Sequence, residues 1–554
     1  RKVNLTVPGN IMSVSNLSGY GLEFTGTTTL TGPAHFAVGN ATASNLQPGL
    51  ILSGAVDDGV NDYGLIKSGA GTLLLSGTNT FGAAGRTLDI LSGVLAASSD
   101  AALGNASNTV TINVDGSTGT GFRAVDTFTT SRTFVLNQPN NAFEVVAGKV
   151  LTLNAALSFA STSALLYKND NGVLELAASN AASNWSVATG GIIINAGAVR
   201  LSAAGAAGLA TNKIIVNASI GAALQLAGDV TIANPIVVSN VGNEVYRGGL
   251  NGDGQVLSVS GSNTLTGSVA MNFDGLIGAL AGSTLTLSGG IDNTGSRQII
   301  FPVAGTVNLA SAVSLSAYEL IKYGVGTLNI TAAQTAQLGS NTGIIIHAGK
   351  VSFSGAGILS TATKAYALRP GSILEVLDTG ATPLNNRLGA AANINFIGGQ
   401  LNIIGNANGT TLETLATPTF GRGFSIVTLT AQAGQQANLV FSGAAGAQAN
   451  AQNNGTGPTG TSVLFRGTAL GTAAGADVAT IKDAAGFSFN GQTGATATTT
   501  KGILPWALVD VTTTGLGTSF ATGDAAAATA TTANLRPLAA NEYSAVNTIA
   551  ANNN

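Results

Sequence analysis

The densest group of residues able to do chemistry is an acidic cluster near the start of the chain, Asp57-Asp58-Gly-Val-Asn61-Asp62. Its carboxylate and amide oxygens are ligands of the kind that calcium takes from proteins. Aspartate, asparagine and glycine are also the residues that form a turn between two strands. We favour the turn interpretation and keep a calcium site as the alternative.

Other residue types used in catalysis and metal binding are scarce. The chain has two histidines, His35 in an apparent loop after Pro33 and His347 at an outward position, and neither stands near a serine and an aspartate in a recognised arrangement. The chain has no cysteine, which excludes thiol catalysis and disulfide bonds. Zinc requires more nitrogen and sulfur ligands than two histidines supply.

Three lysines, Lys67, Lys168 and Lys322, recur at the same place in a repeated motif. We interpret each as an outward side chain whose stem packs on the next coil while its ammonium stays in water. Ligand binding is the less favoured alternative for these lysines. We interpret Trp185 and Trp506 as packing anchors rather than as platforms for a sugar ring.

Two further polar groups, at 169–172 and 251–254, occupy the glycine turn of the repeat, where Asn and Asp tolerate the left-handed conformation. Enzymes that cleave glycosidic bonds need at least two carboxylates on one face, and no such set is recognisable. The sequence therefore predicts no catalytic residues, no cofactor and no metal site, and we do not expect an enzyme.

The repeated motif covers 65–76 and returns at 166–177 and 320–331, with a partial copy at 252–267. Internal repetition of this kind indicates stacked coils. In each copy large aliphatic residues alternate with a tolerant position, as in a strand with one buried face. The predicted inward residues are Leu73, Leu75, Leu174, Leu176, Leu328 and Ile330, and the predicted outward residues are Leu74, Glu175 and Asn329.

A second element follows each copy, at 88–97, 192–201 and 344–353, and occurs again at 394–403. A central glycine (Gly93, Gly197, Gly349 or Gly399) shifts the alternation by one residue, as a bend between two strands requires. The predicted inward residues are Leu88, Ile90, Leu95, Ala97, Ile192, Ile194, Val199, Leu201, Ile344, Ile346, Val351, Phe353, Ile394, Phe396, Leu401 and Ile403. The predicted outward residues are Asp89, Asn195, Arg200, His347, Lys350, Gln400 and Asn402.

Composition favours an all-β solenoid over several compact domains. The 554 residues include 75 glycines, and only 8% are charged while 45% are hydrophobic. Because each coil contacts only its neighbours, a solenoid has no limit on length. The net charge is −3 with scattered Lys and Arg, which predicts no nucleic-acid partner. No apolar run approaches the length of a membrane span.

The string at 65–81, followed by Ile90-Leu-Ser-Gly-Val-Leu95, resembles the autotransporter-associated β-strand repeat of surface and passenger proteins. The segments 503–510 and 535–543 also resemble a part of very large surface proteins that carry these repeats. The resemblance implies an elongated right-handed parallel β-helix at a bacterial cell surface or in the extracellular space. The handedness also agrees with the bias of parallel crossovers.

We expect one continuous domain, with the repeats in 1–405 and a looser continuation in 406–554 that has longer Ala-, Thr- and Gly-rich loops and a frayed tail. Because the sequence begins at Arg1 without methionine, we expect a processed or truncated piece. The favoured function is a non-catalytic structural protein that self-associates into a stalk, fibre or coat, since neither end shows an evident cap. The alternatives are a passenger adhesin that binds a carbohydrate or a cell surface, and a polysaccharide-acting β-helix enzyme.

Overall fold

The structure is a computed structural model that describes residues 5–15, 19–40, 42, 46–115, 120–159, 164–181, 191–217, 221–239, 253–293, 298–315, 319–334, 343–359, 365–389, 392–416, 418–443, 460–484, 486–487, 489, 494–524 and 534–543. Trp185, Asn251 and most of the loop and tail segments predicted after 405 lie outside these residues. The chain forms two compact units, Arg1–Gly289 and Gly290–Asn554.

Short strands of two to six residues separated by turns build the first unit, because aliphatic residues alternate with polar ones over short stretches. The strands are β1 Leu5–Val7, β2 Ile11–Val14, β3 Leu22–Phe24, β4 Thr28–Leu30, β5 Ala34–Val38, β6 Leu50–Leu52, β7 Val56–Asp57, β8 Leu65–Ser68, β9 Thr72–Leu75, β10 Thr87–Ile90, β11 Val94–Ala97, β12 Thr109–Ile112, β13 Gly121–Ala124, β14 Phe128–Thr130, β15 Phe134–Leu136, β16 Asn140–Val145, β17 Val150–Leu153, β18 Ser158–Phe159, β19 Leu165–Asn169, β20 Val173–Leu176, β21 Ile192–Ile194, β22 Ala198–Leu201, β23 Ile214–Asn217, β24 Ala223–Leu226, β25 Thr231–Ile232, β26 Ile236–Ser239, β27 Val256–Ser258, β28 Ser262–Leu265, β29 Val269–Met271, β30 Gly275–Ala279 and β31 Thr284–Leu287.

These strands stack in parallel sheets, each strand pairing with its counterpart in the next coil. The longest sheet of the unit has the order β3-β6-β9-β11-β13-β16-β19-β21-β23-β26-β29, and the others are β2-β5-β8-β10-β12-β15-β18, β14-β17-β20-β22-β24-β27-β30, β1-β4-β7 and β25-β28-β31. The first unit is therefore a parallel β-solenoid, as the sequence predicts.

The second unit has the same architecture, and several of its strands are longer. They are β32 Ile291–Asn293, β33 Ile299–Pro302, β34 Thr306–Leu309, β35 Val313–Leu315, β36 Leu320–Tyr323, β37 Thr327–Ile330, β38 Ala333–Gln334, β39 Ile344–Ile346, β40 Gly349–Phe353, β41 Ile358–Leu359, β42 Ala365–Leu368, β43 Ser372–Leu377, β44 Asn393–Phe396, β45 Gln400–Ile404, β46 Thr411–Leu415, β47 Thr419–Phe420, β48 Gly423–Thr430, β49 Gln436–Phe441, β50 Thr461–Gly467, β51 Val478–Asp483, β52 Leu504–Asp510, β53 Ser519–Gly523 and β54 Leu535–Pro537. Parallel pairing continues past residue 405, since β45 pairs with β48 and β48 pairs with β50.

Antiparallel strands close the last sheet of the second unit. Strand β52 still pairs in parallel with β50, but β53 pairs antiparallel with β52, and β54 pairs antiparallel with β53. The Arg536 guanidinium donates to the Glu542 carboxylate at 2.6 and 2.7 Å and so fixes the turn after β54. This pairing contradicts the expected C-terminal end without a cap for the described part of this sheet, because β53 covers the edge of β52 with antiparallel bonds.

The predicted inward and outward positions of the aliphatic and aromatic residues in the repeated strands are confirmed in both units. The side chains of Leu73, Leu75, Leu174 and Leu328 are fully buried, and every other predicted inward residue is at most 1% exposed. The predicted outward residues Leu74, Glu175 and Asn329 are half-buried, as are the outward positions of the second element. In the part of the chain that the structure describes, helix is limited to the 3-10 turns Ala101–Leu103 and Ala540–Glu542, and no helix there is long and apolar enough to span a membrane.

Three of the four predicted bend glycines have the left-handed backbone that the bend requires. Gly93, Gly197 and Gly349 have φ of 65°, 65° and 68°. At Gly93 a Cβ would stand 2.4 Å from the Gly71 carbonyl oxygen of the preceding coil, so the stacked bends have no room for a side chain. In the fourth element the prediction is wrong by one residue, because Gly398 is left-handed (φ 83°) rather than Gly399.

Candidate functional site

The three repeated lysines lie inside the solenoid, which corrects the outward assignment. Lys67, Lys168 and Lys322 are all 0% exposed. Each occupies an inward column between a phenylalanine of the preceding coil and an isoleucine of the next; the columns are Phe36–Lys67–Ile90, Phe143–Lys168–Ile194 and Phe301–Lys322–Ile346. The aliphatic stem is therefore part of the core, and the ammonium must find its partners inside it.

Backbone carbonyl groups at two stacked bends bind each ammonium. Lys67 Nζ donates to the Ser68 and Gly69 carbonyls, both at 2.8 Å, and to the Ser92 carbonyl of the next coil at 3.0 Å. Lys168 and Lys322 repeat this pattern at 2.6–3.3 Å; their acceptors are the carbonyls of Asn169, Asp170, Ala196, Tyr323, Gly324 and Ala348.

The left-handed residues explain why the carbonyls converge on the lysine. The second acceptor in each copy, Gly69, Asp170 or Gly324, has φ of 73°, 64° or 77°. The third acceptor directly precedes a left-handed bend glycine. The positive φ of Asp170 also confirms that the polar group at 169–172 forms a turn.

Burial opposes the charge that these carbonyls stabilise. Removal from water lowers the pKa of Lys67 and of Lys168 to about 7, and the pKa of Lys322 to about 8. An ammonium has three N–H donors for the three carbonyls, whereas a neutral amine has two, so the hydrogen bonds favour the charged form. The lysines are thus bound to the backbone and do not present a free amine to a ligand.

At another corner of the coil, a buried side-chain amide links neighbouring coils through hydrogen bonds to their backbone, as the lysines do. The Asn79 Oδ1 accepts the Val56 N–H of the preceding coil at 2.8 Å, and its Nδ2 donates to the Ala102 carbonyl of the next coil at 2.5 Å. Asn180 makes the same two bonds, with Leu157 and Ala206. In the third copy Gln334 takes the position of the asparagine and accepts the Val313 N–H at 2.7 Å.

The acidic cluster at 57–62 forms a tight turn. Asp58 is 5% exposed, and its Oδ2 accepts the N–H groups of Tyr63 at 2.7 Å and Gly82 at 2.9 Å. The Asn61 N–H and side-chain amide both donate to the Asp58 carbonyl. These bonds support the turn interpretation. Within the described ranges, no group of three or more His, Asp or Glu residues is placed to hold a metal ion.

The same turn forms one wall of an open cleft of about 540 Å³ in the first unit. Its floor is the outer surface of β8 and β10, where Ile66 pairs with Asp89. The loop at 60–64 and the residues Gly85, Arg86 and Thr87 form its walls, and Pro33 contributes from the preceding coil. The sequence did not predict this site, because its two loops meet only after the coils have stacked.

The histidines lie on strands or beside them rather than in free loops. His35 belongs to β5, contrary to the predicted loop, and its Nε2 lies 2.7 Å from the Ser68 Oγ. Ile66 separates this pair from Asp89 in the register, so the three residues do not form a triad. His347 is outward as predicted and stacks on Tyr323 with ring centroids 4.3 Å apart, and burial lowers the pKa of His347.

A fully buried ion pair organises a loop of the second unit. Arg387 and Asp378 are both 0% exposed, with Nη2 and Oδ1 2.9 Å apart. The Arg387 Nη1 donates to the carbonyls of Gly355 and Gly357, and its backbone N–H donates to the Glu413 carboxylate at 2.9 Å. Burial raises the pKa of Glu413 to about 7. Arg387, Asp378 and Glu413 are all fully buried, so we interpret this network as structural, and no repeat in the sequence pointed to it.

A tryptophan also has a structural role. The Trp506 ring lies 5.3 Å from Phe420 and 6.4 Å from Phe465, which supports its interpretation as a packing anchor.

No protein-family model, curated protein or solved structure matches the chain. The relation to the autotransporter-associated repeat thus stays a resemblance of motifs, and the fold that the structure establishes is a parallel β-solenoid.

Proposed function

We propose that this chain is a non-catalytic structural protein that acts at a bacterial cell surface or outside the cell, where copies associate into a stalk, fibre or coat. One observation carries the proposal: the polar residues that recur in register are used for hydrogen bonds between coils. Lys67 and Asn79 bind the backbone of neighbouring coils, and their counterparts in the other copies do the same. The polar residues that recur in each copy of the repeat therefore stabilise the stack of coils and are not arranged for a reaction.

We place the association on the outer surface of the coils rather than at the C-terminal end. In the last described sheet of the second unit, the antiparallel strand β53 already covers the edge of β52. Val325 is 83% exposed and Tyr323 is 41% exposed at one bend of the second unit, so apolar surface is available on the flank. With 8% charged residues, repulsion between like charges on two flanks is weak.

Sedimentation over a range of protein concentrations tests this proposal, with electron microscopy of the same samples. We expect reversible assembly, and we expect Val325→Lys to shift it toward the monomer because a charge would enter the contact. Leu516→Lys is the matched control, since Leu516 is 84% exposed but lies between β52 and β53. A monodisperse monomer at the highest concentration, or equal effects of the two variants, would contradict the proposal.

A further inference from the structure

The polar side chains of the cleft beside the turn at 57–64 are used differently from the repeated lysines and asparagines of the coils. Elsewhere the repeated lysines and asparagines bind backbone groups. In the cleft, Asp62, Tyr63 and Arg86 make no side-chain hydrogen bond to any residue that the structure describes. Asp89 accepts one bond, from Thr87 Oγ1 at 3.0 Å to its Oδ2. Side-chain hydrogen-bond donors and acceptors from two coils therefore line the cleft, and most of their hydrogen-bonding capacity is available to a ligand.

The walls of the cleft are held in place before any ligand arrives. The buried Asp58 carboxylate joins Tyr63 in one wall to Gly82 at the base of the other. The Arg86 N–H donates to the Ala83 carbonyl at 3.0 Å, which tightens the second loop. A preformed site loses little conformational entropy when it binds, so modest contacts suffice for measurable affinity.

The chemistry of the lining fits a ligand with many hydroxyl groups and no net charge. The carboxylates of Asp62 and Asp89 accept hydrogen bonds from hydroxyls, while the Arg86 guanidinium donates them. Tyr63, Ile66 and the 95% exposed Val60 provide apolar surface for the C–H face of a sugar ring. Two carboxylates against one guanidinium disfavour a polyanion, because like charges repel across a binding surface.

We propose that this cleft binds an uncharged oligosaccharide. Its volume of about 540 Å³ lies within the usual range of small-ligand sites and accommodates a few sugar units rather than a whole polymer. The site would give a structural protein a point of attachment to glycans. The inference is independent of self-association, since a loss of binding in cleft variants would leave sedimentation unchanged.

Isothermal titration and saturation-transfer NMR with cellohexaose, chitohexaose, maltohexaose and a heparin hexasaccharide test this inference on the full chain. We expect saturable binding of at least one neutral hexasaccharide and weaker or no binding of heparin. Tyr63→Ala and Asp89→Asn should each weaken binding roughly tenfold, equivalent to about 1.4 kcal/mol.

The matched controls are Tyr20→Ala, at a tyrosine that is 79% exposed, and Asp126→Asn, at a carboxylate that pairs with Lys149 at 2.8 Å on the surface. Both should bind the oligosaccharide as the natural sequence does, and all four variants should keep its melting temperature. The proposal is overturned if no neutral probe binds up to about 10 mM. It is also overturned if both cleft variants bind with unchanged affinity, or if heparin is the tighter ligand.

Discussion

Replacement of Asn79 by leucine should open the solenoid locally at the coil corner that this side chain closes. Asn79 is 5% exposed and joins the Val56 N–H of one coil to the Ala102 carbonyl of another. Each of the two buried backbone groups left without a partner costs about 1–3 kcal/mol, or about 2–6 kcal/mol together, and the added apolar burial recovers part of that. We therefore expect the free energy of local opening to fall by about 2–4 kcal/mol.

Amide hydrogen exchange is the suitable assay, because a stack of coils opens locally and need not unfold in one step. A loss of about 2–4 kcal/mol corresponds to exchange that is about 30 to 1,000 times faster in the peptides that contain Val56 and Ala102. Peptides from the second unit should be unchanged.

Two control variants separate the lost bonds from the change of side chain. Asn10→Leu makes the same replacement at an exposed position and should leave exchange nearly unchanged. Asn79→Gln should cost less than Asn79→Leu, since Gln334 in the third copy still accepts a strand N–H of the preceding coil. If Asn79→Leu and Asn10→Leu accelerate exchange equally, the assigned role of this amide is wrong.

Three further predictions concern register and pH. Leu328→Asp should cost several kcal/mol in urea unfolding because it buries an unpaired charge, whereas Asn329→Asp on the outer face should cost little; equal losses would refute the register. Burial lowers the pKa of Lys67 from 10.5 to about 7, so between these pH values the folded state holds fewer protons than the unfolded state. The free energy of unfolding should therefore rise from pH 7 to pH 10. In Lys67→Met this rise should be smaller. A pH-independent difference between the two proteins would show that the three carbonyls keep the ammonium charged throughout. Burial raises the pKa of Glu413 from 4.5 to about 7, so the contribution of Glu413 to stability should be complete below pH 4.5 and lost as the pH rises through 7. The urea midpoints of Glu413→Gln should lack this change. The same pH profile in the variant and the natural sequence would refute the raised pKa of Glu413.

Sequence alone predicted the coil and its register because local alternation determines them. Leu73 and Leu75 flank Leu74, and only a strand with one buried face imposes that pattern. The three lysines were wrongly predicted to point outward because they are charged, although their place in the alternation indicated the opposite. Lys67 stands two residues after the inward Leu65, and side chains two residues apart on a strand point to the same face. Lys168 and Lys322 stand in the same way after Leu166 and Leu320, so the alternation indicated inward side chains.

The cleft and the closure of the second unit could not be predicted in the same way. Tyr63 and Arg86 belong to different coils, and the link through Asp58 exists only once those coils are stacked. The reversal of direction at strands β53 and β54 depends on the turns that follow β52. Neither feature recurs elsewhere in the sequence to reveal itself by repetition.

The reach of the lysine bonds has a consequence for how the chain acquires its structure. The ammonium of Lys67 binds a carbonyl 25 residues later, and those of Lys168 and Lys322 bind carbonyls 28 and 26 residues later. Every such bond is complete once a single further coil has formed, and none waits for a distant part of the chain. Closing loops of this length costs little entropy and keeps the average contact separation small relative to the total length. The chain can therefore fold progressively from either end, one coil serving as the template for the next, and a polypeptide delivered gradually need not remain unfolded until its last residue has arrived.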